Sequence, residues 1–240
     1  LNAKFYKIFK KLCPGPITFI LKKRIGSKVS NSATAKLNTI AVRFPKDKTI
    51  KKILKGIDFP LAIPSANISK SISPVSARDV VDEFGKKLNF IIDGGSCNIG
   101  IESTVVDLTG VKKILRPGAI SAEEIENILK SKISIAKNFK KIISPGSLKK
   151  HYSPGIHMRL NQKKSRENEA FITFGKKYER AKNSFNLSTK SDLNEAARNL
   201  YKIFRIIKNK KYKLINVVKI PKKGIGVAIN DRLKHAATKK

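Results

Sequence analysis

The chain has 240 residues, with 52 Lys and Arg against 17 Asp and Glu, so its net charge is +35. A hydrophobic share of 40% is enough for a packed core and excludes wholesale disorder. No window of about 18 apolar residues could cross a membrane, the first ten residues lack the apolar core of a signal peptide, and Cys13, Cys97 and three histidines make no zinc framework. A cytoplasmic protein with no membrane partner is therefore expected.

From Leu1 to about Lys132, short apolar runs alternate with glycine and proline. Ile17–Leu21, Thr39–Phe44, Leu61–Pro64, Phe90–Asp93 and Thr104–Leu108 read as strands, and Lys51–Lys55, Pro74–Phe84 and Ala122–Leu129 as helices. Ser73-Pro74 fits an N-cap followed by proline at the first helical position, and Ser121 with Glu124 fits a capping box. An apolar, lysine-rich stretch, Ile133–Ile143, closes this mixed α/β domain. Ser144–Pro154 contains two Ser-Pro pairs and reads as an extended linker. Beyond it come a strand at Phe171–Phe174, a helix, a strand at Leu214–Ile220 and a last helix. The first of those helices sets Leu193, Ala196, Ala197, Leu200, Phe204 and Ile207 on one face, so a small parallel strand-helix-strand sheet is expected.

The cations divide into 42 Lys and 10 Arg. Lysine is the solvating cation, whereas arginine suits planar contacts to phosphate and bases. The lysines are scattered rather than gathered in a stripe, and A/T-rich codon usage accounts for them more simply than dedicated nucleic-acid binding.

Four segments carry chemistry. In Leu61–Ser73 an apolar run ends at Pro64 and opens into Ser65, Asn67, Ser69 and Ser73, small donors that let an anion approach closely; a serine-rich turn is the alternative. In Ile91–Asp107, Gly94, Gly95 and Gly100 bracket a loop that leads to Glu102-Ser103-Thr104; a glycine hairpin with Ser103 in solvent is the alternative. Arg116 ends a run at a turn and could hold phosphate or carboxylate, or make a surface ion pair. Alternation along Asn38–Pro45 puts Thr39, Ala41 and Arg43 on one face, which lines a pocket or faces solvent.

Taken together, these segments resemble the YrdC-like family, and within it the two-domain threonylcarbamoyl-AMP synthases. The matching stretches are Pro14-Gly-Pro-Ile-Thr18, Val42-Arg-Phe-Pro45, Pro64-Ser-Ala-Asn67 with Ser73-Pro74, Asp93-Gly-Gly95 with Glu102–Asp107, and Arg116–Ile120. The linker around His151-Tyr152-Ser153-Pro154, and Asn186–Ser188, Asp192–Ala197 and Gly224–Leu233 beyond it, are similar too. Lys70 departs from the pattern, standing where the family often has glycine, and so does Val75, where threonine is common.

The resemblance implies an α/β fold: a twisted mixed-sheet YrdC-like domain at 1–143, an interdomain linker or lid at 144–165, and a small Rossmann-like domain at 166–240. It implies synthesis of threonylcarbamoyl-AMP and pyrophosphate from L-threonine, bicarbonate or CO2, and ATP with Mg2+, and a downstream tRNA threonylcarbamoyl transferase. By the same resemblance Arg43, Ile63 and Ser103 would bind threonine. Thr39, Ser65, Ser73 and Arg116 would bind ATP, with Asn67 behind them, and Tyr152 would close over the nucleotide unless it simply packs on the small domain. The family's basic Lys-x-Arg-Pro-type loop has no counterpart here. The expectation is that an N-terminal part of the catalytic domain, and with it most of the activity, lies outside this chain. A non-catalytic module that binds RNA weakly through a basic face is the competing reading. A carbamoyl-transfer maturation factor is disfavoured by the C-terminal domain.

Overall fold

The computed structural model describes residues 1–136, 152–178 and 183–238. They fall into two compact units, Leu1–Pro64 with Glu102–Ser147 and Ser65–Ile101 with Leu148–Lys240. Residues 144–151 of the expected linker, His151 among them, lie outside the described residues.

The first unit is built on a five-stranded mixed sheet in the order β2-β1-β3-β4-β5. Its strands are β1 (Ile17–Lys22), β2 (Thr39–Arg43), β3 (Thr104–Asp107), β4 (Lys113–Arg116) and β5 (Ser134–Ile135). β1 pairs antiparallel with β2 and parallel with β3, and β4 pairs antiparallel with β3 and parallel with β5. Because strand side chains alternate, Ile17 and Phe19 of β1 point one way, with Val106 and Ile114. They meet Phe5 and Ile8 of α1 (Ala3–Leu12) and Ile125 and Leu129 of α4 (Ala122–Leu129) in one buried cluster. Thr18 and Ile20 point the other way. Asn2 caps α1 by accepting from the Phe5 amide at 3.0 Å, and its amide group donates to the Leu108 carbonyl at 3.1 Å. Ser121 and Glu124 form the expected capping box on α4. The shorter α2 (Lys48–Lys55) is capped by Asp47 and buries none of its residues.

The second unit holds a four-stranded sheet in the order β6-β9-β7-β8, with every pair parallel. Its strands are β6 (His157–Arg159), β7 (Ala170–Thr173), β8 (Ser184–Asn186) and β9 (Leu214–Val217). All four residues of β7 are buried, as a strand covered on both faces requires. The core is completed by α5 (Leu193–Asn209) and α6 (Gly226–Ala237), and it also takes in Ile72, Val75 and Ile101. The third helix, α3 (Ala77–Phe84), belongs to this unit as well. The mixed sheet and the separate parallel sheet are the architecture expected from sequence. The boundaries differ: β6 joins the second sheet from within the stretch read as linker, and Ser65–Ile101 groups with the C-terminal half.

Three local expectations are corrected. Leu61–Pro64 and Phe90–Asp93 are not strands. A strand needs a neighbour for its backbone groups, and these runs have no ladder partner among the described residues; Ile63 is 65% and Phe90 79% exposed. The cap of α3 is Ser76, whose hydroxyl accepts from the Asp79 amide, rather than Ser73, because Asp79 reaches back to the Val75 amide at 2.8 Å and keeps Pro74 and Val75 outside the helix.

Lys130 ends α4 in the left-handed conformation, at φ 53° and ψ 36°. That region costs an L-residue about 1–2 kcal/mol, part of which glycine's greater unfolded-state freedom offsets. Lys130→Gly should therefore stabilise the protein by roughly 1 kcal/mol. Urea denaturation at neutral pH measures this, and a loss of stability would mean that the exposed Lys130 side chain contributes more than its backbone costs.

Candidate active site

Sheet register gathers the polar residues of the first unit onto one face. Thr18 is paired with Arg43 across the antiparallel β1–β2 ladder and with Val105 across the parallel β1–β3 ladder, and Val105 is paired with Arg116 on β4. Paired residues share a face, so Arg43 and Thr18 stand on the side opposite α1 and α4, with Thr39 further along β2, and a register shift at Val105/Val106 brings Arg116 to that side although Ile114, two residues before it, packs under α1 and α4. Ser103, just before β3, joins them: its hydroxyl lies 2.8 Å from that of Thr18. Both are buried, at 4% and 7% exposure.

Arg116 fixes Ser103 from the far side. Its Nε and Nη2 donate to the Ser103 carbonyl at 3.2 and 3.0 Å, and Nη2 also reaches the Ser103 hydroxyl at 3.1 Å. The turn after Arg116 is held by Thr104, whose hydroxyl donates to the Ile120 carbonyl at 2.6 Å and accepts from the Ile120 amide at 3.0 Å. Gly118 lies so close to the backbone of Glu102–Thr104 that a Cβ there would stand 2.3 Å from the Thr104 nitrogen. Arg43 lies on the edge strand and donates from Nε to the Gly15 carbonyl at 3.4 Å. Asp107, the carboxylate in register further along this face, is engaged by Thr109 and by Lys113.

Two guanidinium groups and two hydroxyls make this face complementary to an anion. Thr18, which ends one of the matching stretches, was not among the expected site residues. Its signal was there, a hydroxyl at an alternate position in an otherwise apolar strand. Ile63 belongs to the same unit at 65% exposure, outside the sheet.

Ser65, Asn67, Ser73 and Tyr152 belong to the second unit. Ser65 is exposed and Ser73 buried, and the loop between them is organised by Glu83 of α3. Glu83 Oε1 accepts from the Ile68 amide at 3.1 Å and, through a short bond, from the Ser71 hydroxyl. The Asn67 amide group donates to the Ile68 carbonyl at 2.8 Å. Lys70 has φ 74°, a conformation glycine adopts freely. Burial works to raise the Glu83 carboxyl, but the Ser71 and Ile68 bonds and the Arg205 charge outweigh it and hold the group below its ordinary range. Tyr152 is 1% exposed, with its ring stacked on Tyr201 at 5.9 Å and the Arg232 guanidinium 4.9 Å from its centre. Among the described residues no group of three His, Cys, Asp or Glu could hold a metal ion, and no helix is long and apolar enough to cross a membrane.

Residues 1–118 match the Sua5, YciO and YrdC family, described as telomere recombination, and residues 120–238 match the family described as threonylcarbamoyl-AMP synthase, C-terminal domain. A threonylcarbamoyl-AMP synthase of Pyrococcus abyssi is 33% identical over 95% of this chain and 72% of its own length. One of Bacillus subtilis is 28% identical over 96% of this chain and 72% of its own length. One of Schizosaccharomyces pombe is 36% identical over 65% of this chain, which spans 41% of that longer relative. The crystal structure of P. abyssi Sua5 complexed with L-threonine superposes with a TM-score of 0.88 at 31% identity, covering 99% of this chain and 74% of that one.

Two outcomes follow from the geometry. Arg116→Met should lower stability by about 1.5–3 kcal/mol, the usual cost of removing a charged donor from buried acceptors; guanidinium denaturation that shows no change would detach Arg116 from Ser103. For Glu83, a lowered carboxyl gives stability that is present above its unfolded value of about 4.3 and lost as pH falls through the lower folded value. Glu83→Gln should therefore be less stable than the parent at pH 7, with the gap closing in acid. Stability curves that stay parallel down to pH 3 would contradict an ionised, bonded Glu83.

Proposed function

The chain belongs to the Sua5, YciO and YrdC family, and on that premise we propose that it is an L-threonylcarbamoyladenylate synthase. It takes L-threonine, bicarbonate or CO2, and ATP to threonylcarbamoyl-AMP and pyrophosphate. The observation that carries this reading is the register placing Arg43, Thr18, Ser103 and Arg116 on one sheet face, where an anionic amino-acid derivative meets cations and hydroxyls.

The threonine amine is first carboxylated to a carbamate. A carbamate oxygen then attacks the α-phosphorus of ATP, the bond from that phosphorus to the bridging oxygen breaks, and pyrophosphate leaves with the electron pair. Both reactants are anionic, so catalysis here consists of holding them in line while cations and donors offset the charge. Arg43 binds the threonine carboxylate through charge-assisted hydrogen bonds. Ser103, steadied by Thr18 and Arg116, meets the amine or hydroxyl, and Ile63 adds an apolar wall and backbone groups. Thr39, Ser65, Ser73 and Arg116 take the nucleotide, with Asn67 supporting the loop. Tyr152 closes over it, which requires the ring to leave its seat against Tyr201 and Arg232. Mg2+ enters as part of the ATP substrate. The adenylate is unstable in water and passes in the cytoplasm to a tRNA-modifying transferase, and the basic surface gives weak attraction to RNA.

The reaction is tested by pyrophosphate release that depends jointly on threonine, bicarbonate and ATP, with the adenylate identified by mass. Release that ignores threonine would sink the reading. Arg43→Ala should raise the threonine requirement roughly tenfold to a hundredfold, from about 1.5–3 kcal/mol of lost charge-assisted bonding, and leave the ATP requirement nearly unchanged. Equal effects on both substrates would take Arg43 out of the threonine pocket.

A further inference from the structure

Arg205 lies on α5, in the sequence of the C-terminal domain, yet its side chain is spent on residues far upstream. Nη2 donates to the Ile72 carbonyl at 2.9 Å, Nε lies 3.5 Å from an Asp79 carboxylate oxygen, and Nη1 lies 3.5 Å from Glu83 Oε2. The side chain is 16% exposed and those of Asp79 and Glu83 are 16% and 8% exposed, so the cluster is largely withdrawn from solvent screening. Each of the two carboxylates spends an oxygen on the backbone beside the serine loop. Asp79 accepts from the Val75 amide at 2.8 Å, and Glu83 accepts from the Ile68 amide at 3.1 Å and from the Ser71 hydroxyl. One planar cation therefore fixes three points, at Ile68, Ile72 and Val75, of the segment that carries Ser65 and Ser73. A fourth tie comes from the Ser153 amide, which donates to the Lys70 carbonyl at 3.1 Å.

We infer that Arg205 is a positioning residue for the nucleotide, acting through Glu83, Asp79 and the Ile72 carbonyl to hold the Ser65–Ser73 loop in the shape that receives ATP phosphates. The inference rests on the reading above that Ser65 and Ser73 contact ATP. A lysine at this position would keep the charge but could not donate to the Ile72 carbonyl while facing both carboxylates, because the fork geometry belongs to guanidinium alone.

The test compares ATP and threonine dissociation constants, by calorimetry, for the purified protein and for Arg205→Met, Arg205→Lys and Ser71→Ala. Hydrogen exchange at the Ile68 and Val75 amides is followed in parallel. Arg205→Met should weaken ATP binding roughly tenfold or more, the effect of losing charge-assisted bonds. Threonine binding should change less than twofold, and the Ile68 and Val75 amides should exchange faster while the β7 and β9 amides keep their protection. Arg205→Lys should recover part of the ATP affinity. Ser71→Ala loosens the grip of Glu83 without touching α5, so it should show the same selectivity at smaller size even if Arg205→Met fails to fold. Equal weakening of both ligands, or unchanged ATP affinity in Ser71→Ala, overturns the positioning role. If the parent protein binds threonine but no ATP, the function proposed above fails first and removes the nucleotide from this role; the exchange rates then report separately whether Arg205 holds the loop.

Discussion

A β-strand must send successive side chains to opposite sides of its sheet, and in β1 that single constraint divides structural work from chemical work. Ile17 and Phe19 enter the cluster beneath α1 and α4, while Thr18 between them is carried to the opposite face. β1 lies between β2 and β3, so its alternation is copied to both neighbours and Arg43 comes to the side of Thr18, while Arg116 on β4 comes there through the register shift between β3 and β4. A one-residue slip of β1 would bury Thr18 among phenylalanines and present Phe19 to the anion-binding face. The apolar cluster under α1 and α4 thus fixes the register that the polar face requires.

Features whose physics is local were legible in the sequence. The capping box of Ser121 and Glu124 depends on residues three apart, and it forms as spaced. The apolar face of α5 was equally plain: Ala196, Ala197, Leu200, Phe204 and Ile207 are all buried. What that face covers could not be read, because Ile72, Val75 and Ile101 lie about a hundred residues upstream and nothing in their own neighbourhood points to α5. The strand readings at Leu61–Pro64 and Phe90–Asp93 failed for a related reason, since composition reports a preference for the extended state but not the presence of a partner. Ser73 lost the cap of α3 to Ser76 through a choice made by the Asp79 side chain, which composition does not encode.

The site residues show the same division. Alternation alone set Thr39 and Arg43 on one side of β2, and the structure agrees with it. That Ser103 would be buried against Thr18, rather than facing solvent from a glycine hairpin, depended on the parallel pairing of β1 and β3, a contact across more than eighty positions of sequence. The lysine excess played no part in locating the face; the cations beside Thr18 and Ser103 are arginines, which are scarce in this chain.

The second unit is discontinuous, and this matters while the chain is being made. Ser65–Ile101 leaves the ribosome well before α5, against which Ile72, Val75 and Ile101 are buried, has been synthesised. At roughly 5–20 residues per second, the intervening stretch of about a hundred residues takes on the order of 5–20 seconds. For that interval Ile72 and Val75 have no core to enter and must be kept from other apolar surfaces by chaperones or by the high positive charge of the nascent chain. A fragment cut near residue 119, where one sequence family gives way to the next, would make the separation permanent. It would leave Leu200 and Phe204 exposed on one piece and Ile72 and Val75 on the other. In this protein the boundary between sequence families is not a boundary between folding units.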